Sequence, residues 1–448
     1  MSGQEQGGLK RSITLFAVIA LGINGIIGQG IFLLPGKAAA LLGPASLLSL
    51  AFAGLLSFLI ALCFAEVASR FDSTGGAYLY SRRAFGDFVG FEVGWMTCIV
   101  ALVAWASLAT GFTLVLGVFV PEVKSGWAQK ATAVGLITVL TAVNLRGAKA
   151  GANLSTVFSI AKLVPIAVFI AVGVFYVDGQ NFEPFAPQGW AGFADATLII
   201  LYAYVGFEVL VVPAGEMQNP QRNVPLALIL VLSFVTIVYV LVLGVAVGTF
   251  EGLPGHDNPV AAASATFMGS SGATLIGIGI VVSVFGTNAG SALVGPRRFY
   301  ALAERGDLPP FLAKVNPDTG APVAAILVTY VGAVALSLTG SFAELAALAV
   351  LARFVQYIPT CIALLVFRAR DGDSAGPRGG FRLPLGPLFP LITVGLCLLL
   401  LYNSDPNKLL KGAIALGVGV PLYFLSRRFN WGTRGESGTH VDAESGPS

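Results

Sequence analysis

Charged residues are scarce in this sequence, and histidine is almost absent. Asp, Glu, Lys and Arg together make up 11% of the 448 residues, and 56% of the chain is hydrophobic. A soluble globular domain carries about 25% charged residues. The two histidines, His256 and His440, lie in polar segments, so a zinc or iron site is not expected. The composition excludes an ordinary soluble protein and predicts a polytopic membrane protein.

Signatures of covalent chemistry and of nucleotide binding are also missing. The sequence has no phosphate loop of the Walker type and no nucleophile spaced for activation by a base. We therefore expect a protein that is not an enzyme, holds no metal or cofactor, and needs no nucleic acid or obligatory protein partner. The four cysteines lie inside apolar runs and resemble no disulfide framework; they are Cys63, Cys98, Cys361 and Cys397.

Long apolar runs dominate the rest of the chain. A membrane-spanning helix needs ~20 apolar residues, and the runs account for about twelve such helices. A short helix is also expected near Pro259–Met268, in the connection before the eighth run. The predicted helices cover residues 14–42, 44–69, 87–120, 128–146, 153–177, 191–219, 223–249, 272–305, 322–339, 342–368, 385–402 and 409–427.

The positive charges are distributed asymmetrically between the two ends of these helices. When the N-terminus is placed inside, most of the 26 lysines and arginines fall on the inner side. Cytoplasmic loops carry the excess of Lys and Arg in membrane proteins. The sequence therefore predicts a multi-pass protein of the cell (inner or plasma) membrane with both termini in the cytoplasm.

The first apolar run contains an unusual stretch, Gly22–Gly36, with five glycines and a proline. Glycine lets the backbone leave helical geometry. Within a bilayer such backbone is tolerated only where it lines a cavity or is buried in protein. We interpret Gly28-Gln29-Gly30 as a break whose free N–H and C=O groups suit the carboxylate and amine of an amino acid. The alternative is an unbroken helix whose glycines allow close packing.

A second break is expected in Leu201–Glu208, where Gly206 and Glu208 interrupt the sixth apolar run. Helices 1 and 6 are the first members of two sets of five, and inverted repeats place their discontinuous helices at corresponding positions. The predicted fold is an all-α membrane protein with a five-plus-five inverted repeat and two additional C-terminal helices. The expected boundaries are 13–178 and 191–370 for the repeats, 385–427 for the last two helices, 1–428 for the single domain, and 429–448 for a disordered cytoplasmic tail.

Lys162 is the strongest single candidate for a functional residue, because it lies near the middle of an apolar run. Ionisable groups inside a membrane are costly and mark functional sites by default. A buried lysine can release and take up a proton, so Lys162 is a candidate for proton coupling. The alternatives are a permanently charged strut that pairs with helix 1 carbonyls, and a side chain that snorkels to the cytoplasmic surface.

Two further charged residues fall within predicted spans. Glu208 could gate the pathway, sense pH or face a cationic substrate, or its carboxylate could be satisfied by backbone N–H groups at a helix N-terminus. Arg353 could pair with Glu208 or Glu344, although snorkelling or hydrogen bonding to carbonyls is the favoured interpretation. Both residues are therefore candidates with open roles.

Six motifs in the same order resemble those of the amino acid–polyamine–organocation permease superfamily. The likeness covers nearly the whole chain up to about Arg428, although Gln29 stands where the family usually has Ser, Thr or Ala. From the residues alone, Tyr78 and Tyr80 suit the membrane interface. The motifs are Gly28–Phe32; Glu66 with Gly75–Tyr80; Gly94-Trp95; Gly215–Pro225; Arg297–Pro309; and Phe381–Leu385.

The resemblance implies a substrate site at the two breaks. It places the substrate carboxylate on the N–H groups of Gln29 and Gly30 and the ammonium on the carbonyls of Ile26, Tyr202 and Val205. It places Lys162 opposite the first break, in the position of a sodium ion in related transporters. Ala292 stands where relatives that handle arginine or polyamines carry an aromatic residue. The remaining implied residues are Gly28, Ala203 and Gly206 in the site, Tyr204 and Phe207 as lids, and Tyr357 as an outer gate.

The sequence as a whole therefore favours a secondary active amino acid transporter that works by alternating access. The favoured mode is proton-coupled uptake of small or medium neutral amino acids, because the expected pocket is mostly apolar. An exchanger of amino acids, or of polyamines and cationic amino acids, remains an alternative on the same fold. A membrane sensor that binds an amino acid without moving it is a more distant one.

Overall fold

The computed structural model describes most of the chain, and the described part is helical. The predicted disordered tail lies outside the described residues except for Phe429. The described ranges are 12–256, 258–340, 342–371, 381–404 and 406–429.

Fourteen α-helices, joined by turns and short 3-10 segments, make up these ranges. The only β structure among the described residues is an isolated bridge between Ile13 and Met217. The helices are α1 (Leu15–Ile26), α2 (Gly30–Leu42), α3 (Ser46–Ala68), α4 (Ala77–Phe85), α5 (Asp87–Leu116), α6 (Gly126–Asn144), α7 (Ala148–Gly173), α8 (Phe193–Tyr204), α9 (Pro220–Thr249), α10 (Pro259–Glu304), α11 (Val323–Thr339), α12 (Phe342–Asp371), α13 (Leu388–Tyr402) and α14 (Pro406–Arg428).

Several of these helices are long and apolar enough to cross a membrane. Within the described ranges, eight helical segments meet that criterion, and the first of them, Leu15–Ala68, contains two of the predicted spans. Two shorter apolar helices, α11 and α13, add to them. The chain is therefore an integral membrane protein.

The break predicted in the first helix is present. α1 ends at Ile26 and α2 begins at Gly30, so three residues lie outside both helices. A Cβ on Gly30 would lie 2.8 Å from the Cα of Ala203, which is closer than real Cβ contacts allow. Glycine is therefore needed here because the sixth predicted helix approaches the backbone of the break.

The break predicted in the sixth helix is also present, but the second half of that helix differs from the prediction. α8 ends at Tyr204, and Gly206 has a φ of 121°. Only two 3-10 segments follow, Phe207–Val211 and Ala214–Glu216, before α9 begins. Pro213 lies between them and has no N–H to donate, which disfavours a continuous α-helix.

One connection agrees with the sequence prediction and another differs from it. The short helix expected at Pro259–Met268 is present as the first part of α10, and the backbone leaves helical geometry at Gly269 (φ 64°), which separates it from the spanning part. Residues after Gly76 form the helix α4, which the sequence analysis did not predict. Tyr78 and Tyr80, expected at the membrane interface, are buried inside the protein, and the Tyr78 hydroxyl donates to Asp307 at 2.6 Å.

The broken helices lie at the centre of the bundle. α1 packs against α7, α9 and α10, while α2 and α3 both pack against α8. A Cβ on Gly206 would lie 2.4 Å from the carbonyl oxygen of Gly25, so the two breaks touch through their backbones. The backbone N–H and C=O groups that the two breaks leave outside the helices therefore lie close together.

Candidate functional site

A small cavity lies where the two breaks meet. Its volume is about 60 Å³, which is several times the ~10–15 Å³ that one water requires. α5, α10 and α12 close the sides that the broken helices leave open. The lining residues are Gly25, Ile26, Gly28, Gln29, Gly30, Ala104, Ser107, Leu108, Tyr202, Ala203, Val205, Gly206, Val209, Thr287, Ser291, Ala349 and Arg353.

The substrate-binding positions taken from the sequence all line this cavity. The N–H groups at the start of α2 have no partner within their own helix, which is the property expected of a carboxylate site. Ser291 rather than Ala292 lines the α10 side; Ala292 is 1% exposed and is not among the lining residues.

Two of the three carbonyls expected to meet a substrate ammonium, those of Ile26 and Tyr202, already have donors in this conformation, and the Tyr202 oxygen accepts from the Val205 N–H at 3.3 Å. The oxygen of Ile26 accepts from the Gly28 N–H at 2.8 Å and lies 3.0 Å from the Tyr239 hydroxyl. The same hydroxyl lies 3.0 Å from the carbonyl oxygen of Ala203. Tyr239 is therefore a bridge between the two broken helices. This role is not visible in the sequence, because a tyrosine in an apolar helix has no distinctive pattern.

Lys162 is fully buried and its side chain reaches the end of α1. Its Nζ donates to the carbonyl oxygens of Ile27 at 2.5 Å and Asn24 at 3.2 Å, and it lies 3.2 Å from Thr287 Oγ1. An ammonium has three N–H donors, so these three acceptors satisfy it completely. Burial of a charge is tolerable only with such partners.

The polar surroundings of Lys162 come from α10, and the sequence analysis did not identify them. Thr287 Oγ1 is 3.0 Å from the Asn24 oxygen, and Ser283 Oγ donates to the Ile27 oxygen at 3.0 Å. The end of α1 is therefore held by a lysine on α7 and two hydroxyls on α10. Thr287 also lines the cavity, so the Lys162 cluster and the cavity share a wall.

Glu208 and Arg353 form a buried ion pair beside the cavity. Arg353 Nε lies 2.6 Å from Glu208 Oε1, and the side chains are 7% and 1% exposed. Glu208 Oε2 also accepts from the Tyr357 hydroxyl at 3.1 Å and from the Gly206 N–H at 3.0 Å. The snorkelling interpretation of Arg353 is wrong, because its guanidinium is buried and paired. The side chain of Glu344 lies outside the described part of the chain.

Aromatic rings form a layer on one side of the cavity. Phe207 stacks on Tyr357 with ring centroids 5.3 Å apart, and Phe64 contacts both rings edge-on. Phe207 of this layer lies after the break of the sixth predicted helix, on the stretch of chain that leads to Glu216. The Glu216 carbonyl accepts from the Ile13 N–H, so the layer lies toward the N-terminal end of the chain. With the N-terminus inside, as predicted, Tyr357 would belong to an inner gate rather than the outer gate implied by the resemblance.

Tyr204 does not belong to this layer. Its ring packs on Tyr239 at 5.2 Å, and its hydroxyl lies 3.4 Å from the Leu50 oxygen on α3. It is fully buried and is not among the residues that line the cavity. Tyr204 therefore packs α8 against α3 and α9. The lid role implied for it has no support in this conformation.

Comparison with known proteins gives the family of the chain. The family model described as "Amino acid permease" matches residues 13–416. A methylthioribose transporter of Bacillus subtilis is 29% identical over 94% of this chain and 94% of its own length. A branched-chain amino acid permease of the same organism is 29% identical over 95% of both chains. A serine/threonine exchanger of the same organism is 29% identical over 94% of this chain and 98% of its own.

The match extends over nearly the whole chain, and it agrees with the broken helices and the cavity between them. These relatives are permeases and transporters rather than enzymes. The chain therefore belongs to the amino acid permease family.

Proposed function

We propose that the protein is a proton-coupled symporter that takes up small or medium neutral amino acids by alternating access. The single observation that carries this proposal is the position of Lys162. Its ammonium satisfies carbonyls that the break of α1 leaves without helical partners. In this arrangement the protonation state of one residue controls how firmly α1 is held to α7 and α10.

The proton and the substrate are coupled through the broken helix. Protonated Lys162 holds the Asn24 and Ile27 carbonyls, which fixes the end of α1 next to the cavity. The neutral amine loses its charge and at least one donor, so the end of α1 is released. Substrate binds to the N–H groups at the start of α2, on the other side of the same break. Each ligand therefore favours the same arrangement of the broken helix.

Alternating access in this proposal is a movement of the two repeats, residues 13–178 and 191–370, around the fixed cavity. The aromatic layer of Phe64, Phe207 and Tyr357 closes the inner side, and the Glu208–Arg353 pair ties that layer to the sixth predicted helix. The termini are placed in the cytoplasm of a cell that imports amino acids through its plasma or inner membrane. These assignments rest on the positive-inside pattern and the position of the layer.

The lining does not favour a cationic substrate. An accessible acidic pocket around Glu208 would suit an amine-bearing side chain, but Glu208 is 1% exposed and paired with Arg353. Arg353 is the charged side chain that lines the cavity itself. Exchange remains the second candidate, because one of the relatives is a serine/threonine exchanger.

Uptake by purified protein in proteoliposomes tests the proposal. Labelled neutral amino acids are supplied outside, with and without an inward proton gradient, to the wild type and to Lys162→Ala. We expect the gradient to stimulate the wild type but not the variant, while both still catalyse counterflow of amino acid without a gradient. Lys149→Ala removes an exposed lysine from the same helix and should behave as the wild type. Uptake that requires preloaded amino acid and ignores the gradient would establish exchange instead.

A further inference from the structure

Part of the cavity wall is polar, within a lining that is mostly glycine and apolar residues, as expected from the sequence. Six of the seventeen lining residues carry polar side chains, and most of them face the breaks from α5, α8, α10 and α12. The backbone groups of the breaks suit the carboxylate and amine, which every amino acid shares. The polar wall is therefore the part of the site that distinguishes one side chain from another. Its members are Gln29, Ser107, Tyr202, Thr287, Ser291 and Arg353.

Gln29 has an unusual environment within this wall. Its side chain is buried, at 2% exposure, and its Oε1 atom has no hydrogen-bond partner among the described residues. Its Nε2 atom makes only a long contact, 3.4 Å, with the Tyr202 hydroxyl. Buried polar groups normally have partners, so an acceptor without one in the cavity wall is available to accept a hydrogen bond from a ligand.

The protein makes room for the amide of Gln29. A Cβ on Gly111 would lie 2.4 Å from Oε1 and 2.9 Å from Nε2 of Gln29. The amide therefore lies directly against the backbone of α5, in space that a larger residue at position 111 would fill. The close approach places the amide in the cavity wall, where it can select a ligand by its hydrogen bonds.

Arg353 does not require an anionic ligand. Its Nε atom is paired with Glu208 at 2.6 Å, and its Nη1 atom donates to the Ala349 carbonyl at 2.7 Å. The positive charge is therefore balanced by a carboxylate in contact with it. An additional carboxylate from a substrate would find the Arg353 guanidinium already paired with Glu208, so a neutral group is favoured.

The size of the cavity restricts the side chain further. The cavity is only about 60 Å³ in this conformation, and Gly25, Gly28, Gly30 and Gly206 line it at the breaks. A cavity of this size favours a short side chain over a long one. The site therefore suits a side chain of only a few heavy atoms.

We infer that this site selects short neutral amino acids whose side chains donate and accept hydrogen bonds, a hydroxyl or a carboxamide, with Gln29 as the specificity-determining residue. The inference rests on the proposed transport function and adds the substrate class. The substrate hydroxyl or amide donates to Gln29 Oε1, the acceptor that has no partner among the described residues. A branched apolar side chain of equal size leaves this acceptor without a donor, and sites of this kind reject such analogues strongly.

Isosteric pairs of amino acids test the inference directly in proteoliposomes. The panel compares threonine with valine, serine with 2-aminobutyrate, and asparagine with aspartate and leucine. We expect kcat/KM for threonine to exceed that for valine by at least about tenfold, and asparagine to exceed aspartate and leucine similarly. Equal or better transport of valine and leucine would overturn the inference and leave the transport function standing. Preference for aspartate over asparagine would overturn it in favour of an anionic class.

Variants of Gln29 provide the second measurement. Gln29→Leu keeps the approximate shape of the side chain but removes both polar atoms, so we expect the threonine-to-valine ratio to fall towards one or invert. Gln29→Ser provides a smaller polar residue and should retain part of the preference. Gln129→Leu, on α6 away from the cavity, is the matched control and should leave the ratio unchanged. An unchanged ratio in Gln29→Leu would show that Gln29 does not determine specificity. Absence of uptake for every amino acid in the wild type would reject the transport function itself.

Discussion

The amide of Gln29 occupies space that exists only because residue 111 is glycine. The distance from an ideal Cβ at Gly111 to Gln29 Oε1 is 2.4 Å, so no other residue fits without moving the amide. The two residues are far apart in the sequence: Gln29 lies at the end of the first break, and Gly111 lies on α5. Their contact joins the substrate-binding break to the α5 side of the cavity, and it makes the two positions interdependent.

The first prediction concerns this pair. Gly111→Ala displaces the Gln29 amide and overpacks the contact, at a cost of about 1–3 kcal/mol in the free energy of unfolding. We expect it to reduce the preference for threonine over valine, as Gln29→Leu does. Adding Gln29→Ser should relieve the clash and restore stability. Thermal melts and uptake assays on the single and double variants measure both effects. Additive losses in the double variant would contradict a direct steric relationship.

The second prediction concerns the buried Glu208–Arg353 pair. Arg353→Met leaves the carboxylate of Glu208 buried without its cation, and removal of one member of a buried pair costs about 3–5 kcal/mol. Glu208→Gln combined with Arg353→Met removes both charges, so we expect the double variant to be more stable than Arg353→Met alone. Asp87→Asn weakens surface ion pairs with Arg427 and Arg82 and should change stability by about 1 kcal/mol or less for each pair. A double variant no more stable than Arg353→Met would show that the pair is energetically unimportant.

The third prediction concerns Tyr239. Its hydroxyl lies 3.0 Å from carbonyl oxygens of both broken helices, and a neutral hydrogen bond contributes about 0.5–1.5 kcal/mol. We expect Tyr239→Phe to fold, to lose stability by that amount, and to show slower uptake because the breaks are no longer linked. Tyr330→Phe removes a hydroxyl that contacts Thr138 away from the cavity and is the control. Uptake by Tyr239→Phe at the wild-type rate would mean that the link has no part in transport.

The fourth prediction concerns the partners of Lys162. Thr287→Val keeps the shape of the side chain and removes the hydroxyl that contacts both Lys162 and the Asn24 carbonyl. We expect the pH dependence of uptake to shift while counterflow without a gradient persists. Thr329→Val removes a buried hydroxyl that bonds only within α11, to the Ala325 carbonyl, and should leave the pH profile unchanged. If Thr287→Val and the wild type have the same pH profile of uptake, Thr287 has no part in proton coupling.

The sequence predicted the residues whose chemistry is unusual for their surroundings. Lys162 could be identified because a lysine in an apolar run is costly, and the first break because five glycines cluster within one span. Tyr239 and Thr287 could not be identified, since both are ordinary residues in apolar helices. Their roles depend on which carbonyls lie within about 3 Å after the helices pack.

The other features that the sequence did not predict have a similar cause. Arg353 is buried because Glu208, 145 positions earlier, happens to reach it, and no local pattern distinguishes that outcome from snorkelling. The helix α4 was not predicted because its polar sequence lacks a continuous apolar run. Tyr78 is buried against α10 and Asp307, and Tyr80 against Phe64 and Phe71. In each case the outcome was decided by long-range packing, whereas local pattern predicted the broken helices correctly.

Simultaneous measurement of proton and amino acid movement tests the central claim most directly. Proteoliposomes that contain a trapped pH-sensitive dye, with equal pH on both sides, receive threonine outside. We predict that the interior acidifies as threonine enters in the wild type, and that Lys162→Ala still catalyses counterflow but moves no protons. Entry of threonine into wild-type liposomes without acidification, and only in exchange for internal amino acid, would contradict proton symport through Lys162.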